Sequence, residues 1–185
     1  RGNAYSACAA DIDRDGDLDL YVGFYGGPKI DTDGHVAYGL DAESFLDAKN
    51  GEPDLLLRNN GDGTFTDITS AAGIHDRGWT LACGFQDIDN DGDPDLYVVH
   101  DFGFNSLYRN RGDGAFEEVT DAMGEGDSGF GMGLARADYD GDGNIDLYVS
   151  NMSSTAGARI IAASKDLPDD VRRKMSKAAA GNSLL

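Results

Sequence analysis

"DIDNDGDPDLYV", Asp87–Val98, sets five aspartates on alternate positions and then turns apolar. The pattern occurs twice more, as "DIDRDGDLDLYV" from Asp11 and "DYDGDGNIDLYV" from Asp138. A second element also recurs: "LLRNNGDGTFTDITSAAG" from Leu56 and "LYRNRGDGAFEEVTDAMG" from Leu107. Asp87 and Asp138 are 51 positions apart, and so are Arg58 and Arg109. Two markers on one period identify a structural repeat. Asp11 precedes Asp87 by 76 positions, so the first repeat carries about 25 extra residues, within roughly 25–52.

Each aspartate loop has a glycine nine positions ahead of it: Gly2, Gly78 and Gly129. The segment between is small and apolar, and "DLYV" after each loop is rich in strand formers. "SLYRN", then "GDG", then "AFEEVT" reads as a hairpin across a glycine-rich turn. One repeat is therefore four antiparallel strands, A to D. The aspartate loop joins A to B and the GDG turn joins C to D. Repeated four-stranded units of this length predict the blades of an all-β propeller. Blade one is assigned 1–74 with an insertion at about 25–52, blade two 75–125, and a partial blade three 126–185 with a helical insertion at about 152–181. "NSLL" at the end of the chain matches "NSLY" at Asn105–Tyr108, so the chain is expected to be part of a longer propeller.

Carboxylates at alternate positions of a tight loop converge on one point, where their mutual repulsion costs several kcal/mol at low effective dielectric. A hard divalent cation removes that repulsion, and Ca²⁺ tolerates the flexible oxygen cage a loop provides. An EF-hand is excluded. Its bidentate Glu position is Val22, Val98 and Val149 here, and strand rather than helix follows. Expected ligands in loop one are Asp11, Asp13, Asp15 and Asp19, with the carbonyl of Asp17. Loop two supplies Asp87, Asp89, Asp91 and Asp95, with the carbonyl of Asp93. Loop three supplies Asp138, Asp140, Asp142 and Asp146, with the carbonyl of Asn144. The expectation is about three Ca²⁺ sites.

The net charge of −19 argues against nucleic acid or an anionic membrane as partner. The loops hold fourteen acids, and the remaining 20 stand against 15 basic residues, so most of the acidity is local to the loops. No apolar run is long enough to span a membrane.

The loops and the "LYRN.GDG.F" hairpins resemble FG-GAP/VCBS repeats, the calcium-binding blades of integrin-α-type propellers. The wording, including "VSNMSSTAGARI…GNSLL", is similar to bacterial repeat proteins of the ASPIC/UnbV, cartilage-acidic-protein-like group. The resemblance covers nearly the whole chain. It implies a roughly seven-bladed propeller, structural calcium, and an extracellular, secreted, periplasmic or cell-surface location. No ASPIC/UnbV domain is visible. The expected function is a non-catalytic module for recognition or adhesion, with an extracellular protein or glycan and the remaining blades as partners. The alternatives are the scaffold of a polysaccharide-active enzyme and a glycan-binding lectin.

Both large insertions are B–C connections, so they share the face opposite the aspartate loops. The third-blade insertion predicts a helix from Pro168 to Gly181, with an apolar stripe at Val171, Met175 and Ala178. Its basic residues are Arg172, Arg173, Lys174 and Lys177. "DTDGH" at Asp31–His35 is a weak candidate for a further cation turn. "RGD" at Arg111–Asp113 reads as a hairpin turn, because its repeat partner is "NGD". Trp79 is expected in the core, and His35, His75 and His100 show no metal-ligand spacing. Cys8 and Cys83 stand at registers differing by one residue. That difference predicts opposite sheet faces and two buried, unbridged thiols.

Overall fold

The computed structural model describes residues 3–30, 33, 36–39, 42–44, 46–123, 128–153, 158–159, 161 and 167–185. Blade one runs through β1 (Asn3–Ala10), β2 (Asp19–Tyr25), a separate hairpin of β3 (Gly27–Ile30) and β4 (Val36–Gly39), then β5 (Leu55–Asn59) and β6 (Phe65–Asp67). Its sheet order is β1-β2-β5-β6, antiparallel throughout. Blade two is β7 (Thr80–Gln86), β8 (Asp95–His100), β10 (Ser106–Asn110) and β11 (Phe116–Glu118), with the short β9 (Gly103–Phe104) between β8 and β10. Blade three opens with β12 (Ser128–Gly129), which pairs with β9, and continues as β13 (Gly131–Ala137) and β14 (Asp146–Asn151). Helix α1 (Asp169–Ala180) follows, and β15 (Ser183–Leu184) then pairs with β14 as its third strand. The chain is a partial β-propeller.

Strand β8 explains how the blades stack. All six of its residues are buried. Leu96 and Val98 join Ile12, Tyr21 and Leu56 of blade one in the first seam. Tyr97 and Val99 join Leu147 and Val149 of blade three in the second. The two-residue period of a strand thus feeds two interfaces from one segment. Each fully buried large side chain contributes about 1.5–3 kcal/mol by leaving water.

The same positions are open at the ends. Tyr97 is 1% exposed, and its repeat partner Tyr148 is 41% exposed. Phe116 is 5% exposed in the first seam, and its partner Phe65, on the outer side of blade one, is 49% exposed. Blades one and three therefore each present a blade-packing face to solvent.

The glycine ahead of each aspartate loop has a steric reason. A side-chain carbon on Gly78 would lie 2.4 Å from the His100 ring, and one on Gly129 would lie 2.8 Å from Asn151. His100 and Asn151 are repeat partners at the ends of their B strands. Gly2 and the Asp31–His35 stretch, apart from Asp33, lie outside the described residues.

Helix α1 packs on β12 and buries Ala178, with Val171 and Met175 half-buried. Pro168 precedes it with extended ψ, and Gly181 ends it at a φ of 107°. Its basic residues engage the chain: Arg172 Nη1 donates to the Ile161 carbonyl at 2.9 Å, and Lys174 Nζ lies 5.5 Å from the Phe104 ring centroid. Trp79 is buried and packs edge-on against Tyr25 and Phe102, at 5.2 and 5.5 Å between centroids.

The cysteines are unbridged, as expected, but half-buried and not separated as their registers suggested. Cys8 and Cys83 do point to opposite sheet faces, but they belong to different sheets. Those two faces meet at the first seam, where both half-buried thiols pack against one cluster.

Candidate metal centres

Each aspartate loop is built by its own first residue. Asp11 accepts from the Asp15 and Gly16 amides at 3.1 and 3.0 Å. Asp87 does the same with Asp91 and Gly92 at 3.1 and 3.0 Å. Asp138 accepts from Asp142 and Gly143, both at 3.1 Å. These side-chain-to-backbone bonds fold the loop around the carboxylate at position one. The glycine at position six holds a φ of 93°, 92° and 91° in the three loops, a region that glycine enters at little steric cost.

The last aspartate of the pattern ties the loop to the hairpin beside it. Asp19 accepts from the Ile12 and Asn59 amides at 3.1 and 2.8 Å. Asp95 repeats this with Ile88 and Asn110 at 2.9 and 2.8 Å. Burial raises the pKa of both carboxyls above the usual carboxylate value, opposed by those amide bonds. Asp146 accepts from Tyr139 at 2.7 Å.

Three groups of carboxylates converge: Asp11 with Asp13 and Asp15, Asp87 with Asp89 and Asp95, and Asp138 with Asp140 and Asp146. Within each, ligand oxygens lie within 4.8 Å of one another. Oxygens about 2.3–2.6 Å from a common Ca²⁺ are at most about 5 Å apart, so the spacing suits that ion. Asp13 Oδ1 is also buried with no hydrogen-bond partner. An orphaned, buried carboxylate oxygen is costly unless a cation faces it. The donor set is all oxygen and anionic, so the residues fit a hard divalent cation.

Asp91 and Asp142, expected as ligands, lie outside these triads and accept from the Asp93 and Asn144 amides at 2.9 and 2.8 Å. Asp19 is outside the first triad. Two of the side chains at position seven turn sideways to the preceding loop. Arg14 Nη2 lies 2.7 Å from Asp93 Oδ1, and Asn90 Nδ2 donates to Asn144 Oδ1 at 2.8 Å. Arg14 and Asn90 hold a φ of 61° and 60°, where Gly141 stands in loop three. Position four of one loop thus reaches position seven of the next, across the blade seam.

Two further features escaped the sequence reading. First, every blade carries a polar clamp at the start of strand C. Asn105 accepts from the His100 amide at 2.9 Å and donates to Tyr97 Oη at 3.3 Å. Asn182 accepts from the Asn151 amide at 2.9 Å and donates to Tyr148 Oη. In blade one the clamp is Asp54, accepting from the Phe24 amide and the Tyr21 hydroxyl, both at 2.7 Å, and from Thr80 Oγ1 at 2.6 Å. Burial, with the nearby charge of Asp76, pushes the Asp54 carboxyl up to about 7. The alignment of "PDLLLRN" with "FNSLYRN" was the available signal.

Second, Asp76 and His100 form a buried ion pair, with Nε2 3.0 Å from Oδ1. Burial opposes both charges, but their attraction prevails, holding Asp76 low and raising His100. His75 is exposed. The Arg111–Asp113 stretch is a turn: the Arg111 amide donates to the Ala115 carbonyl at 2.9 Å, and Asp113 accepts from the Ala115 amide at 3.1 Å.

Among the described residues, no helix is long and apolar enough to cross a membrane. Residues 45–98 and 87–149 each match the FG-GAP-like repeat model. The chain is 29% identical over 128 residues to cartilage acidic protein 1 of Xenopus tropicalis, covering 65% of this chain and 19% of that protein. It is 28% identical over 148 residues to cartilage acidic protein 1 of Homo sapiens, covering 76% and 22%. The chain thus spans about a fifth of the length of the curated relatives it matches. These two matches, which together span residues 45–149 across stacked blades that repeat the same loop and hairpin, establish that this chain belongs to the FG-GAP-like repeat family.

Proposed function

We propose that the chain is part of a non-catalytic, extracellular, calcium-stabilised propeller module that recognises a protein or glycan. The observation that carries the calcium reading is the convergence of three carboxylate triads, one in each aspartate loop. Asp11, Asp13 and Asp15, with Asp19 beside them, would hold the first ion. Asp87, Asp89 and Asp95, with Asp91, would hold the second, and Asp138, Asp140 and Asp146, with Asp142, the third. Calcium supplies positive charge at the point where the carboxylates repel. The chain itself supplies the preformed loop, through the amide bonds to position one, and the tie to the neighbouring hairpin, through position nine.

The extracellular reading draws support from the name of the matched relatives, cartilage acidic protein, and from loops of a kind that suits the calcium levels outside cells. Recognition falls to the face opposite the loops. There the B–C connections carry α1 and β9, and β12 of the D–A connection pairs with β9. The open faces of blades one and three are places for further blades of the parent propeller.

Calcium titration with a thermal melt tests this. Each site filled to about 100 times its Kd adds about 2.7 kcal/mol of stability. The chelated protein should therefore melt several degrees below the calcium-loaded one, with Mg²⁺ a weak substitute. Identical melting with chelator and with millimolar calcium would overturn the reading.

A further inference from the structure

Cys8 pairs across the sheet with Tyr21, and Cys83 pairs with Val98. Tyr21 and Val98 both lie in the cluster that fills the seam between blades one and two. Cys8 therefore points out of blade one toward blade two, and Cys83 points out of blade two toward blade one. Their strands, β1 and β7, pack directly against each other. Both side chains pack, half-buried, against that one cluster. Ser6, two residues from Cys8 on the same strand, closes the contact. Its Oγ accepts from the Cys83 amide at 3.2 Å and lies 3.4 Å from Cys83 Sγ.

The next seam gives independent geometric support. The repeat partner of Cys8 is Gly84, and the repeat partner of Cys83 is Leu134. A side-chain carbon on Gly84 would lie 2.9 Å from Leu134 Cδ2. These two positions face each other at close range in both seams, and only in the first are both cysteine. The thiols themselves are free.

We propose that Cys8 and Cys83 are a built-in disulfide site that locks blade one to blade two when the protein meets a low-molecular-weight disulfide. The neighbouring Cys8 thiol and the Ser6 hydroxyl, whose oxygen is 3.4 Å from the Cys83 sulfur, favour the Cys83 thiolate, so it ionises more readily despite its burial. Cys8, beside that sulfur and also largely removed from water, keeps its proton longer. The Cys83 thiolate attacks one sulfur of the oxidant, breaks the oxidant's S–S bond and releases one thiolate. Cys8 then loses its proton and attacks the Cys83 sulfur, expelling the second thiolate. Two electrons pass to the oxidant, and the protein loses two hydrogens. Closing the bond brings the two sulfurs to the disulfide length of about 2.05 Å. This site is separate from the calcium loops and does not depend on them.

The experiment uses the purified chain, reduced and then incubated folded with oxidised glutathione. Thiols are counted by alkylation after denaturation, with a non-reducing peptide map. The expected result is loss of both thiols, a monomer carrying a Cys8–Cys83 cross-linked peptide, and a melting temperature raised by several degrees. Reductant should reverse that rise. The Cys8→Ala variant should trap glutathione on Cys83. Two thiols still alkylated after oxidation, stable double glutathionylation without the cross-link, or cross-links only between molecules would each overturn the proposal. The calcium-induced rise in melting temperature is read separately, so failure of one reading leaves the other standing.

Discussion

Asp54→Asn should make the protein more stable above neutral pH, although it removes a buried hydrogen-bonded carboxylate. Burial, aided by the Asp76 charge, pushes the Asp54 carboxyl up to about 7 in the folded chain. In the unfolded chain an aspartate sits near 3.9. The folded state therefore binds the extra proton. The stability this confers is full below about pH 4 and is lost as pH rises through about 7. Three pKa units correspond to about 4 kcal/mol, and relaxation around the site reduces that to about 2–4 kcal/mol. Asparagine fixes the neutral form. Its Oδ1 can still accept from the Phe24 amide, and its Nδ2 can donate to Tyr21 Oη and Thr80 Oγ1. The clamps at Asn105 and Asn182 already use this chemistry. The assay is urea unfolding followed by emission of Trp79, the only tryptophan, at several values between about pH 5 and pH 8.5 in saturating calcium. The variant should match or fall below the parent near pH 5 and exceed it by about 2 kcal/mol near pH 8. Parallel stability curves across that range, or a variant weaker at every pH, would refute the reasoning.

Asp89→Asn removes one converging carboxylate of the second triad. It should reduce the calcium-induced rise in melting temperature while costing little in chelator; an unchanged rise would remove Asp89 from the site. Gly78→Ala should cost about 1–3 kcal/mol in urea unfolding, because the new carbon meets the His100 ring at 2.4 Å. A neutral result would show that the ring can move aside. Arg14→Gly copies Gly141 of loop three. Relief of the positive φ, about 1–2 kcal/mol, is opposed by the loss of Arg14 from the buried Asp93 carboxylate, at a cost of about 1–3 kcal/mol. The melting temperature should therefore stay level or fall by a few degrees, and a clear rise would show that the Arg14–Asp93 link contributes little.

The aspartate loops were legible because their chemistry is local. Asp87 bonds amides four and five residues on, and Gly92 supplies the conformation the turn needs. Such contacts are written in consecutive residues, and three copies in phase make the reading secure. The blade followed from the same logic: period-two strands, a GDG turn and one spacing. The sideways links Arg14–Asp93 and Asn90–Asn144 were not legible. They join loops of different blades, and position seven looked merely free to vary.

The Asp54 clamp was hidden by the first insertion, which separates it from Tyr21 by 33 residues and disguises its match to Asn105. The cysteine pair is the sharpest case. The alternation of a strand correctly set Cys8 and Cys83 on opposite faces, but whether opposite faces diverge or meet depends on which sheets carry them. Sequence by itself determined the repeat, the loops and the direction each strand residue points. Only the stacking of blade on blade decided which of those directions converge, because a seam forms between residues some 75 positions apart that share no local interaction.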